Sequence, residues 1–249
     1  MTNLRHKQFL NLIEHQLKKN GIDYTNIPLV EASNERAKGK KFSFREHLRG
    51  IIDSMLVQQR PFEGLRDKWD EIAKIFFNYD PKKIKEKKGD YFAKRLMAIQ
   101  CGNRVIRQQM ESLSYNIDVL LNIQKDYKTL DNFVTSEEPH IIARKIGKEG
   151  KYKLRYIGYT LAFSYLREVG IEAIKPDVHL RRIASDERLG FSEGYPSEEQ
   201  TVDLFTKMAK EIGCNLSYLD VIIWRFCANI CGATPRCNLC GLSRYCNYK

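Results

Sequence analysis

The sequence predicts an all-α protein. Apolar residues recur at helical spacing along nearly the whole chain, no segment sustains the alternation of a strand, and glycines at 21, 89, 150, 170 and 190 separate the periodic runs. A chain of 249 residues is long enough for one large domain or two small ones with a real hydrophobic core, so no disulfide framework is needed.

The helical runs fall near 4–19, 44–59, 65–78, 90–100, 103–112, 116–124, 138–147, 158–169, 177–186, 197–212 and 216–230. The first, MTNLRHKQFLNLIEHQLKKN, is amphipathic and charged, unlike a signal peptide. ERAKGKKF, at 35–42, reads as a basic linker. No apolar run approaches membrane-spanning length, and no internal repeat or low-complexity tract is found. A protein without these signals is expected in a reducing compartment, cytoplasmic or nucleoid-associated.

Lys and Arg total 42 against 31 Asp and Glu, a net charge of +11. That balance favours a polyanionic partner such as nucleic acid, although a basic protein with no such partner has the same composition.

Four of the seven cysteines crowd the end of the chain, at Cys231, Cys237, Cys240 and Cys246. The spacing C-x5-C-x2-C-x5-C lets two thiolates of one tight loop reach a common centre while the outer pair closes a four-thiolate site. Zinc and a [4Fe–4S] cluster are both compatible with such ligands. The single C-x2-C knuckle and the compactness of the loop favour the cluster. Cys227, one helical turn before Cys231, competes for the place of first ligand, whereas Cys101 and Cys214 read as ordinary buried thiols.

These residues resemble the helix-hairpin-helix DNA glycosylases of the endonuclease III type, which end in a C-x6-C-x2-C-x5-C loop holding a [4Fe–4S] cluster. Pro235-Arg236 before Cys237 matches that pattern, and the first gap is one residue shorter. Two further stretches follow the family's order. Leu154-Arg155-Tyr156-Ile157-Gly158 sits where the family has an L-P-G-V-G hairpin, which binds phosphate through backbone N–H groups at a helix N-terminus. Lys175-Pro176-Asp177-Val178-His179 resembles the stretch that carries the catalytic Asp. Taken alone, the hairpin reads better as an ordinary helix connection and Asp177 better as a helix N-cap; the argument for chemistry is the combination of hairpin, Asp and cysteine loop in the family's order. His179 is expected one turn into that helix, fixing its start.

The resemblance covers 42–249. It implies two helical lobes flanking a DNA-binding cleft: a barrel of helices over 55–165, ending in the hairpin, and a second lobe from 42–54 plus 166–249. It leaves 1–41 as an unmatched N-terminal helix and linker. It further implies a base-excision enzyme that hydrolyses the N-glycosidic bond of a flipped base, with Asp177 stabilising the oxocarbenium-like transition state. Thr160 stands where bifunctional members carry the Schiff-base lysine, so a monofunctional enzyme is expected; Lys151 and Lys153 are the alternatives for lyase chemistry. Tyr159 and Thr160 are candidate pocket residues. Gln58, Gln59 and Arg60, in M-L-V-Q-Q-R, resemble the segment that fills the duplex where the base has left, and with Arg155, Tyr156, Ile157 and Gly158 they are the expected DNA contacts. The expected partner is duplex DNA containing a damaged or mismatched base, bound by a monomer, and the expected cofactor is a [4Fe–4S] cluster on Cys231, Cys237, Cys240 and Cys246. A non-catalytic DNA-binding protein on the same scaffold is the remaining alternative.

Overall fold

A computed structural model describes residues 6–25, 27–58, 64–65 and 67–248. Gln59 and Arg60 therefore lie outside the described residues. Among the described residues every regular element is a helix, as the sequence predicts, and none is long and apolar enough to cross a membrane.

The chain divides into two compact units. The first joins the two ends of the chain, residues up to Lys38 and from Glu172 onward. It contains α1 (His6–Lys19), α2 (Pro28–Ala37), α12 (Val178–Ala184), α13 (Glu198–Ile212) and α14 (Leu216–Asn229). Its core is built from Phe9, Ile13 and Leu17 of α1, Leu180 and Ile183 of α12, Phe205 and Met208 of α13, and Leu219, Ile222, Ile223 and Phe226 of α14. The caps were written in the sequence. Ser197 and Gln200 form a reciprocal capping box at the start of α13, Gly213 ends that helix at φ +74°, and Asn215 caps α14.

The second unit is Gly39–Ile171. It contains α3 (Phe44–Leu56), α4 (Trp69–Ile75), a 3-10 turn at Phe77–Tyr79, α5 (Pro81–Lys85), α6 (Gly89–Ala98), α7 (Ile106–Glu111), α8 (Leu113–Tyr127), α9 (Leu130–Val134), α10 (Pro139–Gly147) and α11 (Tyr159–Glu168). Ser43 and Glu46 form the capping box of α3. Phe76 and Phe92 stack at 5.1 Å between ring centres within a core that includes Leu48, Ile51, Ile117, Ile142, Ile146 and Phe163.

Two readings of the sequence change. The stretch taken as a linker at 35–42 begins inside α2, because Pro28 sets the first turn and Glu31 and Arg36 suit the two ends of the helix dipole. The division of the chain also differs: residues before Lys38 belong with the C-terminal segment, and 42–54 belong with 55–165. The second change has a concrete cause. His47, fully buried on α3, lies 2.7 Å from the Tyr165 hydroxyl of α11 through Nδ1 and 3.5 Å from Asp131 of α9 through Nε2. Asp131 in turn accepts the Phe42 backbone N–H at 3.1 Å.

Candidate functional site

In the second unit, the hairpin runs from the end of α10 to the start of α11. Leu154 N–H donates to the Ile146 carbonyl at 3.0 Å, and Leu154 and Ile157 are fully buried. Gly147 is required by close approach: a Cβ there would lie 2.9 Å from Cα of Tyr159. Tyr156, at the place of the family's first glycine, keeps the left-handed conformation that glycine favours, with φ +59°. Its side chain and that of Arg155 are exposed, whereas the Ile157 side chain is not, so a contact from Ile157 to DNA could come only through its backbone.

Gly158 is the N-cap of α11, extended, with no side-chain cap, and nothing within 4 Å of where a Cβ would stand. Its position leaves the helix N-terminus open to an anion. Asn116, fully buried on α8, braces the loop by a two-way pair: its Nδ2 donates to the Arg155 carbonyl at 3.0 Å, and its Oδ1 accepts the Arg155 N–H at 2.8 Å. The Arg155 guanidinium lies over the Tyr115 ring at 4.0 Å.

Both alternative lysines are engaged. Lys151 Nζ pairs with Asp126 at 2.5 Å. Lys153 Nζ donates to the Gly147 carbonyl at 2.8 Å and to the Ile157 carbonyl, acting as a strut across the hairpin, and burial holds its pKa below the usual lysine value. Thr160 is half-buried in the first turn of α11. Tyr159 is a packing residue, buried edge-on against Phe163 at 5.0 Å and beneath Lys148. Gln58 is half-buried, and its Oε1 accepts from buried Gln109 at 2.7 Å.

In the first unit, Asp177 is the N-cap of α12. Its Oδ1 accepts the His179 N–H at 2.9 Å and the Leu180 N–H at 3.3 Å. Both bonds end on one oxygen. The loop before it is fixed by Asp220, a buried carboxylate on α14 that accepts the Lys175 N–H at 2.9 Å. His179 is half-buried, edge-on to Trp224, and its Nδ1 is buried with no hydrogen-bond partner. Burial lowers its pKa, with the Asp177 carboxylate opposing, which favours a neutral ring.

The C-terminal loop brings Cys231, Cys237, Cys240 and Cys246 to the wall of one pocket of about 60 Å³. All four are free thiols. Cys227 is fully buried beneath the loop, with its Sγ 3.7 Å from the His179 carbonyl, and does not line the pocket. Burial pushes the Cys231 thiol up to about 11, with Cys240 adding to the rise and the Arg188 guanidinium opposing it. Among the described residues, no three His, Cys, Asp or Glu side chains converge to hold a single metal ion. The loop is braced by α1: Gln8 donates to the Tyr245 hydroxyl at 2.7 Å, and a Cβ on Gly241 would lie 2.3 Å from Gln16 Nε2. Arg236 and Arg244 are exposed on it.

Asn116, Asp220 and Arg188 escaped the sequence reading. Asn116 and Asp220 each interrupt an apolar helical face, a signal that was present; Arg188 carried none.

No family model matches the sequence, and no curated protein matches it. Solved structures do. An 8-oxoguanine glycosylase/lyase of Methanocaldococcus jannaschii, in complex with a 15mer DNA containing 8-oxoguanine, superposes with a TM-score of 0.56 at 19% identity over 87% of this chain and 95% of that one. The 8-oxoguanine DNA glycosylase of Thermotoga maritima gives 0.56 at 18% identity over 88% and 96%. A thermostable thymine-DNA glycosylase gives 0.63 at 16% identity over 99% and 97%, so its fold extends through the N-terminal helices as well. The chain has the all-helical fold of these DNA glycosylases.

Proposed function

We propose that this protein is a monofunctional DNA glycosylase of base-excision repair, acting as a monomer on duplex DNA that contains a damaged or mismatched base. The observation that carries this reading is the glycosylase fold over nearly the full chain, with a half-buried carboxylate, Asp177, oriented at the N-cap of α12. Because Oδ1 takes both cap bonds, Oδ2 is the oxygen offered to the reaction. As the N-glycosidic bond breaks, positive charge develops on the sugar; Asp177 stabilises it and orients the attacking water. The open N-terminus of α11 at Gly158 takes a backbone phosphate, and Arg155 and Tyr156 flank it. Thr160 offers no amine, Lys151 is paired with Asp126, and Lys153 is bonded to carbonyls of the hairpin itself.

Although no three side chains converge on a single ion among the described residues, four free thiols line one cavity and the donor set is all sulfur, which suits a four-thiolate cluster. Cys231, Cys237, Cys240 and Cys246 would hold a [4Fe–4S] cluster, whose contribution is to fold the loop that presents Arg236 and Arg244 to the DNA backbone.

The test is a set of duplexes, each carrying one altered base, under single-turnover conditions. 8-Oxoguanine and thymine mismatches come first, since the structural neighbours are named for those bases. Base release that leaves an intact abasic site, and that disappears in Asp177→Asn, is the expected result. DNA binding without release from any duplex would leave only the binding-protein reading.

A further inference from the structure

The cysteine pocket has a cationic wall. Arg188, in the segment after α12, lines it together with the four thiols. Only 4% of Arg188 is exposed. Its Nε is buried with no hydrogen-bond partner, its Nη1 donates to the carbonyl of its own neighbour, Glu187, at 3.3 Å, and the guanidinium lies beside the Cys231 thiol. The Tyr248 ring covers the guanidinium at 3.9 Å. The Asn247 N–H donates to the Arg188 carbonyl at 2.7 Å, which ties the end of the chain down over it.

A guanidinium stays charged at any physiological pH, and burying one without a counter-ion costs several kcal/mol. Among the described residues no carboxylate pairs with Arg188. The groups beside it that can carry compensating negative charge are the pocket thiols. Four thiolates around either a [4Fe–4S] core or a zinc ion leave a net negative charge that needs a buried cation. Two independent features thus meet in one small cavity: a buried cation lacking an anion, and four sulfurs that become anionic when they bind metal.

We propose that Arg188 is the counter-cation of this four-thiolate site, retaining the anionic metal group in the pocket and raising its reduction potential. The proposal rests on the reading of the four cysteines as one metal site. Retention of the metal group does not depend on which metal they take; the reduction potential concerns the iron–sulfur cluster alone. Arg188 touches no substrate; it acts on the metal group by charge and by its Nε–H, and Tyr248 shields that interaction from water.

The experiment is to purify wild type, Arg188→Lys, Arg188→Gln and Tyr248→Ala without oxygen and to measure iron, acid-labile sulfide and zinc per chain. Metal release to a chelator and the reduction potential are then followed, with helical circular dichroism confirming the fold. The expected result is a full iron–sulfur complement in wild type, loss of metal roughly tenfold or more faster in Arg188→Gln, and a lower potential, because removing a cation disfavours the more negative reduced form. Arg188→Lys should lie close to wild type, and Tyr248→Ala between. If Arg188→Gln does not fold, Tyr248→Ala carries the test, since it leaves the charge in place and admits water to it. Zinc in place of iron and sulfide, again released faster from Arg188→Gln, would support the counter-cation and overturn the cluster. Wild-type retention and potential in every folded variant would overturn the role of Arg188 alone. Wild type that holds no metal would overturn both.

Discussion

Oδ1 of Asp177 accepts the backbone N–H of His179 at 2.9 Å, so the residue read as catalytic is also a working helix cap. The two roles can be separated. Asn caps as well as Asp does, so Asp177→Asn should melt within a few tenths of a kcal/mol of wild type, while Asp177→Ala should lose about 1 kcal/mol. Both should lose base release by roughly three orders of magnitude or more, since neither supplies a carboxylate to the developing cation. DNA affinity should hold or tighten in both, because a negative charge beside the phosphates is gone. Thermal melts and single-turnover rates measured on the same preparations check this; a fast Asp177→Asn enzyme would reduce Asp177 to a cap.

Tyr156 predicts an ordering. A non-glycine residue at φ +59° carries about 1 kcal/mol of local strain, partly offset against the chain entropy that glycine would lose. Tyr156→Gly should therefore fold with equal or slightly greater stability. Tyr156→Val, β-branched at a left-handed position, should be destabilised by about 1 kcal/mol or more. Urea midpoints of the three proteins give the order directly, and a Val variant as stable as Tyr would show that the conformation does not persist in solution.

Asp53 should contribute a loss of stability as pH rises through the acid range. Asp53 on α3 is buried, and its pKa is raised to about 7, first by burial and then by the Glu168 carboxylate of α11, with the Arg49 guanidinium and the Tyr79 hydroxyl opposing. The folded pKa lies above the unfolded value near 4, so between the two the native state holds the extra proton. The slope of stability is then negative from about pH 4 to pH 7 and flat above it, for a total on the order of 4 kcal/mol from this group. Asp53→Asn should remove that contribution, read as the difference between the two proteins; Arg49, more than half exposed, remains solvated in the variant. Urea titrations at intervals across this pH range, for both proteins, measure it.

How much of this was legible in the sequence depends on range. Helices with a local signature were readable. The Ser43–Glu46 and Ser197–Gln200 boxes are three residues apart, and the structure forms both. The five-residue helices α5 and α9 were not, because one and a half turns show no periodicity. Their caps, Asp80 and Thr129, were the available signals. The division into units could not be read, since it depends on contacts such as His47 with Tyr165, 118 residues apart. In the site, spacing alone grouped the four cysteines but left Cys227 and Cys231 in competition; in the fold Cys231 lines the pocket and Cys227 does not. Arg188 needed the fold, because nothing in S-D-E-R-L-G-F distinguishes a buried arginine from a solvated one.

The brace on the hairpin gives the last prediction. Asn116 exchanges two hydrogen bonds with the Arg155 backbone and is fully buried on α8, so its own side chain cannot touch DNA. Asn116→Ala leaves a donor and an acceptor of Arg155 unpaired and should cost about 2–3 kcal/mol of stability. Asn116→Asp can still accept the Arg155 N–H but cannot donate to the carbonyl, so it loses one bond and adds a buried charge. If the hairpin backbone binds phosphate, loosening it should weaken duplex binding without changing the number of displaced counterions. Each lost phosphate contact would lower the log–log salt slope by about 0.9, so a parallel shift of the salt titration separates a disordered hairpin from a missing contact. Fluorescence anisotropy of a labelled duplex over a range of salt, for Asn116→Ala beside Arg155→Ala, makes the comparison. The first should shift the line at constant slope and the second should reduce the slope. Wild-type affinity in a folded Asn116→Ala would show that the 154–158 loop does not carry DNA binding.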